Sequence, residues 1–489
     1  MPQAEAHAAQ DWLRPTLIAV LAVTLARVLV LWGSPTDLYV DESQYWVWGQ
    51  YLDFGYFSKP PMIGWVLRVF DELAIQRSAF SVRLPAPLFH GVTAMLLAGF
   101  AHTMMPDRRG AALWVAMAYL SLPIVAVGSF LISTDTIMAP FLVGALMLYW
   151  RLCGGGTVRD ALLGGALLGC AFLSKYAALY FLPGAVIAYA LYPSMRPHGR
   201  HVALFSLTFL LVAAPNILWN VANDLTTVSH TMDNIGWVKE ESPGVQLNFG
   251  GMAEFIASQF AVFGPVFMVF WLLALRAPAP ARRRAMIWMS VPVWAIVIVQ
   301  ALMSRAYANW AFAAILPAVI VATLWALERN RIRGLWVGVG LNVAISAVIA
   351  VLVLFPMWIG DGKGQPLAKR YVNVAAITEA AEALAREQNI DTVVARSRGM
   401  LADFFFHGAD SDLTFYAKPP DGAPHSYYQQ KLALPDDFSG PVLYVSYRDA
   451  LTCRDGSQPE QVADLRQEIG SWSGVALPAY VVEADCLRP

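Results

Sequence analysis

The chain contains 489 residues, of which 57% are hydrophobic and only 14% are charged, and its formal net charge is −1. Soluble domains usually have about 25% charged residues, so this composition excludes an ordinary soluble globular protein. The balanced charge also gives no indication of a nucleic-acid partner.

Apolar stretches long enough to cross a hydrocarbon core recur from Leu17 to Leu354 and stop after Phe355. They predict an α-helical polytopic membrane protein with about eleven transmembrane helices, and residues 1–356 are predicted to form its membrane domain. The predicted spans are 16–34, 84–105, 111–129, 136–151, 160–174, 177–192, 202–219, 250–275, 285–303, 308–327 and 335–356. No small-residue cleavage site follows the first apolar run, so the first span is predicted to be a retained helix.

Arginine residues are distributed unevenly between alternate loops. If the N-terminus is cytoplasmic, every predicted inner loop contains arginine, and these loops are 106–110, 151–160, 192–201, 276–284 and 328–334. Cytoplasmic loops of membrane proteins carry an excess of Lys and Arg. The sequence therefore predicts a cytoplasmic N-terminus and an exported C-terminus.

The last stretch, 357–489, is more polar and is predicted to form a periplasmic soluble α/β domain. Ala375–Gln388 has the spacing of an amphipathic helix, and four short runs are typical of strands: Thr392–Ala395, Leu413–Tyr416, Val442–Ser446 and Ala479–Val482. Two of the four cysteines in the chain, Cys453 and Cys486, lie in this stretch. Because thiols pair in exported domains, we predict a disulfide between them.

Ionisable residues collect in the predicted outer loops. They are Asp41, Glu42, Lys59, Asp135, Lys175, His230 and Arg305. Ionisable groups at or below a membrane surface are costly, so their convergence predicts a functional site. The alternative for each Lys or Arg is a side chain at a helix end that extends its charge into water.

Several short motifs occur in a fixed order along the membrane domain. They are Asp41-Glu42-Ser43-Gln44-Tyr45, Lys59-Pro60-Pro61, Ser133-Thr134-Asp135, Phe172-Leu173-Ser174-Lys175-Tyr176, Pro215-Asn216-Ile217-Leu218-Trp219-Asn220 and Ala308-Asn309-Trp310. This ordered set resembles the lipid-carrier-dependent glycosyltransferases of the GT-C fold, in the family that includes protein O-mannosyltransferases and bacterial aminoarabinose transferases of lipid A. The resemblance covers most of residues 16–325 and is faint over the C-terminal domain.

The resemblance implies a catalytic role for three acids. Asp41 resembles the base that takes the proton of the acceptor hydroxyl, and Glu42 either tunes its neighbour or caps and orients the loop. Asp135 resembles a second acid that positions the acceptor or the base. Its alternative role is to cap the helix that it precedes, since Ser133 and Thr134 are also good capping residues.

The resemblance also implies sites for the donor and the acceptor. Lys59 resembles the phosphate-binding lysine, and Arg305 and Lys175 are predicted to assist it. Tyr45, His230 and Asn309 are candidates to contact substrate. For His230, an ordinary surface position is an equally good interpretation.

Two positions depart from the aminoarabinose transferases. Those enzymes tend to have an arginine where this chain has Gln44, and a glutamate where it has Ser58. The second change removes a potential metal ligand, so we predict that no metal or other cofactor is required. We also expect a donor sugar other than aminoarabinose.

The sequence thus predicts an inverting glycosyltransferase of the bacterial inner membrane. Its expected partners are a polyprenyl-phosphate sugar, the lipid bilayer, and a periplasmic lipid or glycan acceptor such as lipid A or lipopolysaccharide core. The alternatives are a transporter or flippase of a lipid-linked sugar and a protein O-mannosyltransferase. The sugar, the length of the carrier, the acceptor, the oligomeric state and whether a divalent metal assists stay open.

Overall fold

The structure is a computed structural model that describes residues 12–108, 110–235, 247–362 and 364–489. The chain forms two compact units. The first, which we call the helical unit, consists of Met1–Trp32, Lys59–Ile63 and Arg83–Ala350. The second, which we call the sheet unit, consists of Gly33–Ser58, Gly64–Val82 and Val351–Pro489.

The helical unit is built almost entirely from α-helices. In chain order they are Leu13–Trp32, Pro85–Met104, Ala111–Ser121, Pro123–Phe130, Thr134–Cys153, Val158–Ser174, Phe181–Leu191, Gly199–Ala222, Thr226–Ile235, Phe249–Phe263, Pro265–Arg276, Ala281–Trp288, Val291–Met303, Phe312–Glu328 and Ile332–Leu354. The last of these ends in residues of the sheet unit. Short 3₁₀ segments at Tyr176–Tyr180, Pro193–Met195 and Ala308–Ala311 connect some of them.

Within the described part of the chain, seven helices are long and apolar enough to cross a membrane, or up to nine if each of two bent pairs counts as one span. These helices confirm that the chain is a multi-pass membrane protein. The two further predicted spans, 160–174 and 177–192, fall on the shorter helical segments Val158–Ser174 and Tyr176–Leu191. The count of eleven spans therefore stays a prediction.

Burial distinguishes the helix at the centre of this unit from those at its periphery. In the span Ala308–Glu328, 94% of an 18-residue apolar window is buried inside the protein. The buried share of the corresponding window is 22% in Leu13–Trp32 and 17% in Ile332–Leu354. Glycine allows Val158–Ser174 to approach Gly199–Ala222 closely, because a Cβ atom on Gly165 would lie 2.2 Å from the carbonyl oxygen of Phe205. Small residues at helix contacts are typical of membrane bundles.

Two predicted spans are bent where the sequence contains helix-breaking residues. Ala111–Ser121 and Pro123–Phe130 meet at 63°, and Phe249–Phe263 and Pro265–Arg276 meet at 107°. Proline disfavours the helical conformation in the residue that precedes it. At the second bend, Gly264 also has a φ of +83°, a conformation that favours glycine.

The sheet unit contains five strands and several helices. The strands are β1 (Thr392–Ala395), β2 (Thr414–Ala417), β3 (Pro441–Val445), β4 (Ala463–Asp464) and β5 (Pro478–Glu483). The helices are Val40–Gln50, Met62–Leu73, Ala79–Arg83, Ala376–Glu387, Arg398–His407 and Tyr427–Lys431, of which the second and third each have residues in both units. The helix and the four strands predicted after residue 357 are thus confirmed, with ends shifted by at most one residue.

The strands form one mixed sheet in the order β2-β1-β3-β5-β4. Strand β1 pairs in parallel with β2 and β3, while β5 pairs in antiparallel with β3 and β4. Strand β1, which lies between its two parallel neighbours, is buried along its whole length, as expected of parallel strands covered on both faces. Cys453 and Cys486 form a disulfide with Cα atoms 4.4 Å apart.

Candidate active site

In the helical unit, three of the predicted site residues lie together. The ammonium of Lys175 donates a hydrogen bond of 2.6 Å to Oδ2 of Asp135, and the amide of Asn309 donates to the same oxygen at 3.2 Å. The Lys175 and Asp135 side chains are only 18% and 10% exposed. We call these three residues the Asp135 cluster. They come from three separate motifs, and their contacts fix the orientation of the carboxylate.

The helix that carries Asp135 is capped by a different residue. Oγ of Ser133 accepts a hydrogen bond from the backbone N–H of Thr136, which makes Ser133 the N-cap of Thr134–Cys153. Asp135 lies in the first turn of this helix, where a negative charge interacts favourably with the helix dipole. Its carboxylate therefore remains available to Lys175 and Asn309.

The residue after Lys175 anchors a second group of polar side chains. The hydroxyl of Tyr176 donates to Oδ1 of Asn216 at 2.9 Å and accepts from the amide of Asn220 at 3.0 Å. Both asparagines are buried and belong to the motif at residues 215–220. This network connects two of the motifs and holds the chain directly after Lys175.

A buried cation in the first helix was missed by the sequence reasoning. Arg27 is 7% exposed and donates to Oγ of Ser129 at 2.9 Å and to the carbonyl oxygen of Leu120. Nearby, His90 Nδ1 lies 2.7 Å from the hydroxyl of Tyr119. The available signal was a single arginine in the middle of an apolar span, which is costly unless paired.

This buried network continues to the helix of the Asp135 cluster. His90 Nε2 lies 3.3 Å from Oγ1 of Thr136, which also donates to the carbonyl oxygen of Gly128 at 3.1 Å. Thr136 is the residue immediately after Asp135 and bonds to the N-cap Ser133. The network therefore positions the first turn of Thr134–Cys153.

In the sheet unit, the predicted base forms an ion pair with a residue that the sequence reasoning did not select. Arg398 donates through Nη2 to Oδ1 of Asp41. Their side chains are 40% and 46% exposed, so both reach solvent. Asp41 lies in the first turn of Val40–Gln50, and Arg398 is the first residue of Arg398–His407.

The neighbour of Asp41 has a structural contact of its own. Glu42 is 2% exposed, and its Oε2 accepts a hydrogen bond of 3.0 Å from the backbone N–H of Tyr39 at the start of the helix. This contact agrees with the capping alternative for Glu42. Tyr45, one turn further on, is buried, with its ring 5.2 Å from that of Trp48.

Buried polar groups of the sheet unit interact electrostatically with the Asp41–Arg398 pair or with one another. Nε of Arg398 and the hydroxyl of Tyr428 are buried and have no hydrogen-bond partner among the described residues. Asp403 is 1% exposed and accepts from Trp472 Nε1 at 2.8 Å. Burial raises the pKa of Asp403 well above its usual value, although the bond from Trp472 opposes this.

The remaining predicted residues belong to three other segments of the helical unit. Lys59 is half-buried and is followed by the buried Pro60 and Pro61. Arg305 is exposed, with its guanidinium 5.6 Å from the ring centroid of Tyr307. His230 is half-buried on the helix Thr226–Ile235.

The described residues include no group of three His, Cys, Asp or Glu side chains arranged to hold a metal ion. Two of the three candidate catalytic acids form ion pairs: Asp135 with Lys175, and Asp41 with Arg398. Such pairs suit proton transfer and the binding of anions.

Comparison with known proteins identifies one relative along almost the whole chain and two matches to parts of it. Residues 58–219 match the family described as dolichyl-phosphate-mannose-protein mannosyltransferase. Lipid A galacturonosyltransferase RgtD of Rhizobium johnstonii is 38% identical over 481 residues, which cover 97% of this chain and 99% of that protein. An undecaprenyl phosphate-alpha-4-amino-4-deoxy-L-arabinose arabinosyl transferase of Aeromonas salmonicida is 28% identical over 205 residues, 39% of this chain and 36% of that protein.

Solved structures agree at the level of the fold. Apo ArnT from Cupriavidus metallidurans matches with a TM-score of 0.61 and 14% identity over 99% of both chains. The same enzyme bound to undecaprenyl phosphate matches with a TM-score of 0.64 and 16% identity over 94% of this chain and 97% of that one. From the end-to-end relationship with the galacturonosyltransferase, the chain belongs to the GT-C family of lipid-carrier-dependent bacterial glycosyltransferases.

Proposed function

We propose that this enzyme transfers a galacturonosyl residue from a polyprenyl phosphate to lipid A, with inversion at the anomeric carbon. The observation that carries this proposal is the 38% identity to a lipid A galacturonosyltransferase over 97% of the chain. It is consistent with the departures at Gln44 and Ser58, which argue against aminoarabinose as the donor sugar.

The proposed reaction is a direct displacement. A hydroxyl oxygen of the acceptor forms a bond to the anomeric carbon, and its proton passes to the carboxylate of Asp41. The bond between that carbon and the phosphate oxygen breaks, and its electron pair leaves with the polyprenyl phosphate. Attack from the face opposite the leaving group inverts the configuration.

Cations are required because the departing phosphate gains negative charge. We assign this role to Lys59 and Arg305, whose charges suit a phosphate group. Lys175 would have two roles, because its ammonium already bonds to Asp135 at 2.6 Å. A phosphate at Lys175 would share the ammonium with Asp135, which couples donor binding to the orientation of that acid.

The loop charges and the proposed substrates together indicate where the enzyme is located. We place the enzyme in the bacterial inner membrane with the N-terminus in the cytoplasm, as the distribution of arginine among the loops indicates. The site and the C-terminal domain then face the periplasm. The donor and the acceptor are both lipids, so each reaches the site from the bilayer.

The test is single-turnover transfer from a purified polyprenyl-phosphate galacturonic acid to lipid A. Asp41→Asn should lower the rate by about 10²–10⁴-fold, because it removes the proton acceptor, while donor binding is retained. Glu42→Gln keeps an acceptor for the N–H of Tyr39 and should lose much less. Normal transfer by Asp41→Asn, or a product that retains the anomeric configuration, contradicts the proposed mechanism.

The same assay separates the other candidate functions. The relatives are named as transferases, which favours transfer over transport. The match to the protein mannosyltransferase family supports a protein acceptor as the second candidate. Mass spectrometry of lipid A and of envelope proteins from cells with and without the gene would show which acceptor loses its sugar.

A further inference from the structure

The ion pair between Arg398 and Asp41 opposes the proposed reaction, because it occupies the carboxylate that acts as the base. Asp41 must offer a lone pair to an acceptor hydroxyl, but one of its carboxylate oxygens is engaged by the guanidinium of Arg398. The pair is partly open to solvent, with side-chain exposures of 40% and 46%. Pairs of this kind contribute little to stability and can exchange partners. The structure therefore contains a cation on the proposed base that can be displaced.

Arg398 also has unused capacity to donate hydrogen bonds. Its guanidinium has five N–H groups, and its Nε is buried without a partner among the described residues. A buried donor without an acceptor is unfavourable by about 1–3 kcal/mol. An anion with two oxygens, such as a carboxylate, satisfies two guanidinium donors at once.

The surroundings of Arg398 suit an anionic group. The hydroxyl of Tyr428 is a further buried donor without a partner in the described part of the chain, and it lies within electrostatic range of Arg398. Asp403 interacts electrostatically with Tyr428, and burial raises the pKa of this acid, so that it carries less negative charge to repel an anion at Tyr428. Both residues lie in the sheet unit with Asp41 and Arg398.

We propose that Arg398 recognises the carboxylate of the donor sugar, and that this recognition releases Asp41 to act as the base. The inference rests on the proposed function, since a galacturonosyl group has a carboxylate where a galactosyl group has a neutral hydroxymethyl group. Arg398 would then be a specificity residue that contacts the substrate. The carboxylate of the sugar would replace that of Asp41 on the guanidinium, so that the correct donor activates the base.

The experiment compares two donors that differ only at this group. Polyprenyl-phosphate galacturonic acid and polyprenyl-phosphate galactose are each supplied to the full-length enzyme with lipid A, and kcat/KM is measured for both. Loss of a charge-assisted contact corresponds to about ten- to hundred-fold, so the wild type should prefer the galacturonosyl donor by that factor. Arg398→Gln should bring the ratio close to one while galactosyl transfer persists.

Matched variants exclude a general loss of structure. Arg396→Gln changes an exposed arginine two residues earlier on the same segment and should keep the wild-type ratio. Arg398→Lys keeps the charge but not the planar pair of donors, and should give an intermediate ratio. Continued galactosyl transfer by Arg398→Gln, or by Arg398→Lys if the first variant does not fold, shows that the site is intact.

The possible failures are distinguishable. A wild-type enzyme that prefers galacturonic acid, with the same preference in Arg398→Gln, contradicts the inference alone. An equal fall for both donors in Arg398→Gln also contradicts it, because this result indicates a contact with the acceptor. A wild type that uses both donors equally also contradicts the inference, because the carboxylate is then not recognised. A wild type that uses neither donor contradicts the proposed function, and the inference falls with it.

Discussion

Replacing Lys175 by methionine should both destabilise the helical unit and weaken donor binding. The change removes the ammonium that lies 2.6 Å from Asp135, and leaves that carboxylate with the amide of Asn309 at 3.2 Å. A hydrogen bond to a charged group contributes about 1.5–3 kcal/mol to stability. Because the two side chains are 18% and 10% exposed, solvent screens the pair only weakly, and the upper part of that range is expected.

A double-mutant cycle measures this interaction directly. Unfolding free energies of the wild type, Lys175→Met, Asp135→Asn and the double variant are determined by denaturant titration in detergent micelles. The coupling energy should be at least about 1.5 kcal/mol, because the second change no longer leaves a buried charge without its partner. A coupling energy near zero would show that the ion pair does not form.

Donor binding, measured on the same four proteins, separates the two roles of Lys175. If the ammonium also binds the donor phosphate, affinity for polyprenyl phosphate falls in Lys175→Met and does not recover in the double variant. Unchanged affinity in both would mean that Lys175 serves only to hold Asp135. The stability result and the binding result are independent, so each part of the reasoning can fail separately.

Three further predictions concern other parts of the chain. Lys59→Ala and Arg305→Ala should each weaken use of the lipid donor by about ten-fold or more, as measured by initial rates against donor concentration. The unfolding midpoint should not change. Wild-type kinetics in both variants would show that these cations only extend into water. Cys453→Ser should lower the stability by about 2–4 kcal/mol, because the bond to Cys486 closes a loop of sequence separation 33, and reduction of the wild type should reproduce this loss. Asp403→Asn should raise the melting temperature at pH 7. Burial raises the pKa of Asp403 in the folded protein, so the ionised carboxylate destabilises the fold as the pH rises above the pKa of the unfolded chain. That gain should shrink towards pH 4, and a gain independent of pH would contradict it.

The sequence predicts most of the fold because apolar length and turn residues are local signals. All five elements expected after residue 357 are present, and each predicted span falls on a helical segment. The bends were not predicted, although Pro123 and the pair Gly264-Pro265 mark their positions. A window of about 20 residues averages over such a break, so periodicity alone reads a bent pair as one span.

The site is predicted less completely because its contacts join distant parts of the chain. The motifs identified Asp135, Lys175 and Asn309 as site residues. They did not predict that Lys175 and Asn309 donate to the same carboxylate oxygen of Asp135. Arg398 was missed because the family resemblance is faint in the C-terminal domain. No local pattern distinguishes it from Arg396, which is exposed two residues earlier. Only the fold of the sheet unit brings Arg398 to Asp41.

The burial of the two ion pairs explains why we assign different roles to the two acids. Asp135 is 10% exposed in its side chain and bonds to both Lys175 and Asn309, so its carboxylate is held in place and is costly to separate from its partners. Asp41 is 46% exposed, with one partner that is itself 40% exposed. A base must exchange partners during each turnover, since it accepts a proton and then releases it. The more accessible acid suits that task, whereas the enclosed one suits a fixed positioning role. This argument favours Asp41 as the base on energetic grounds that are independent of the family resemblance.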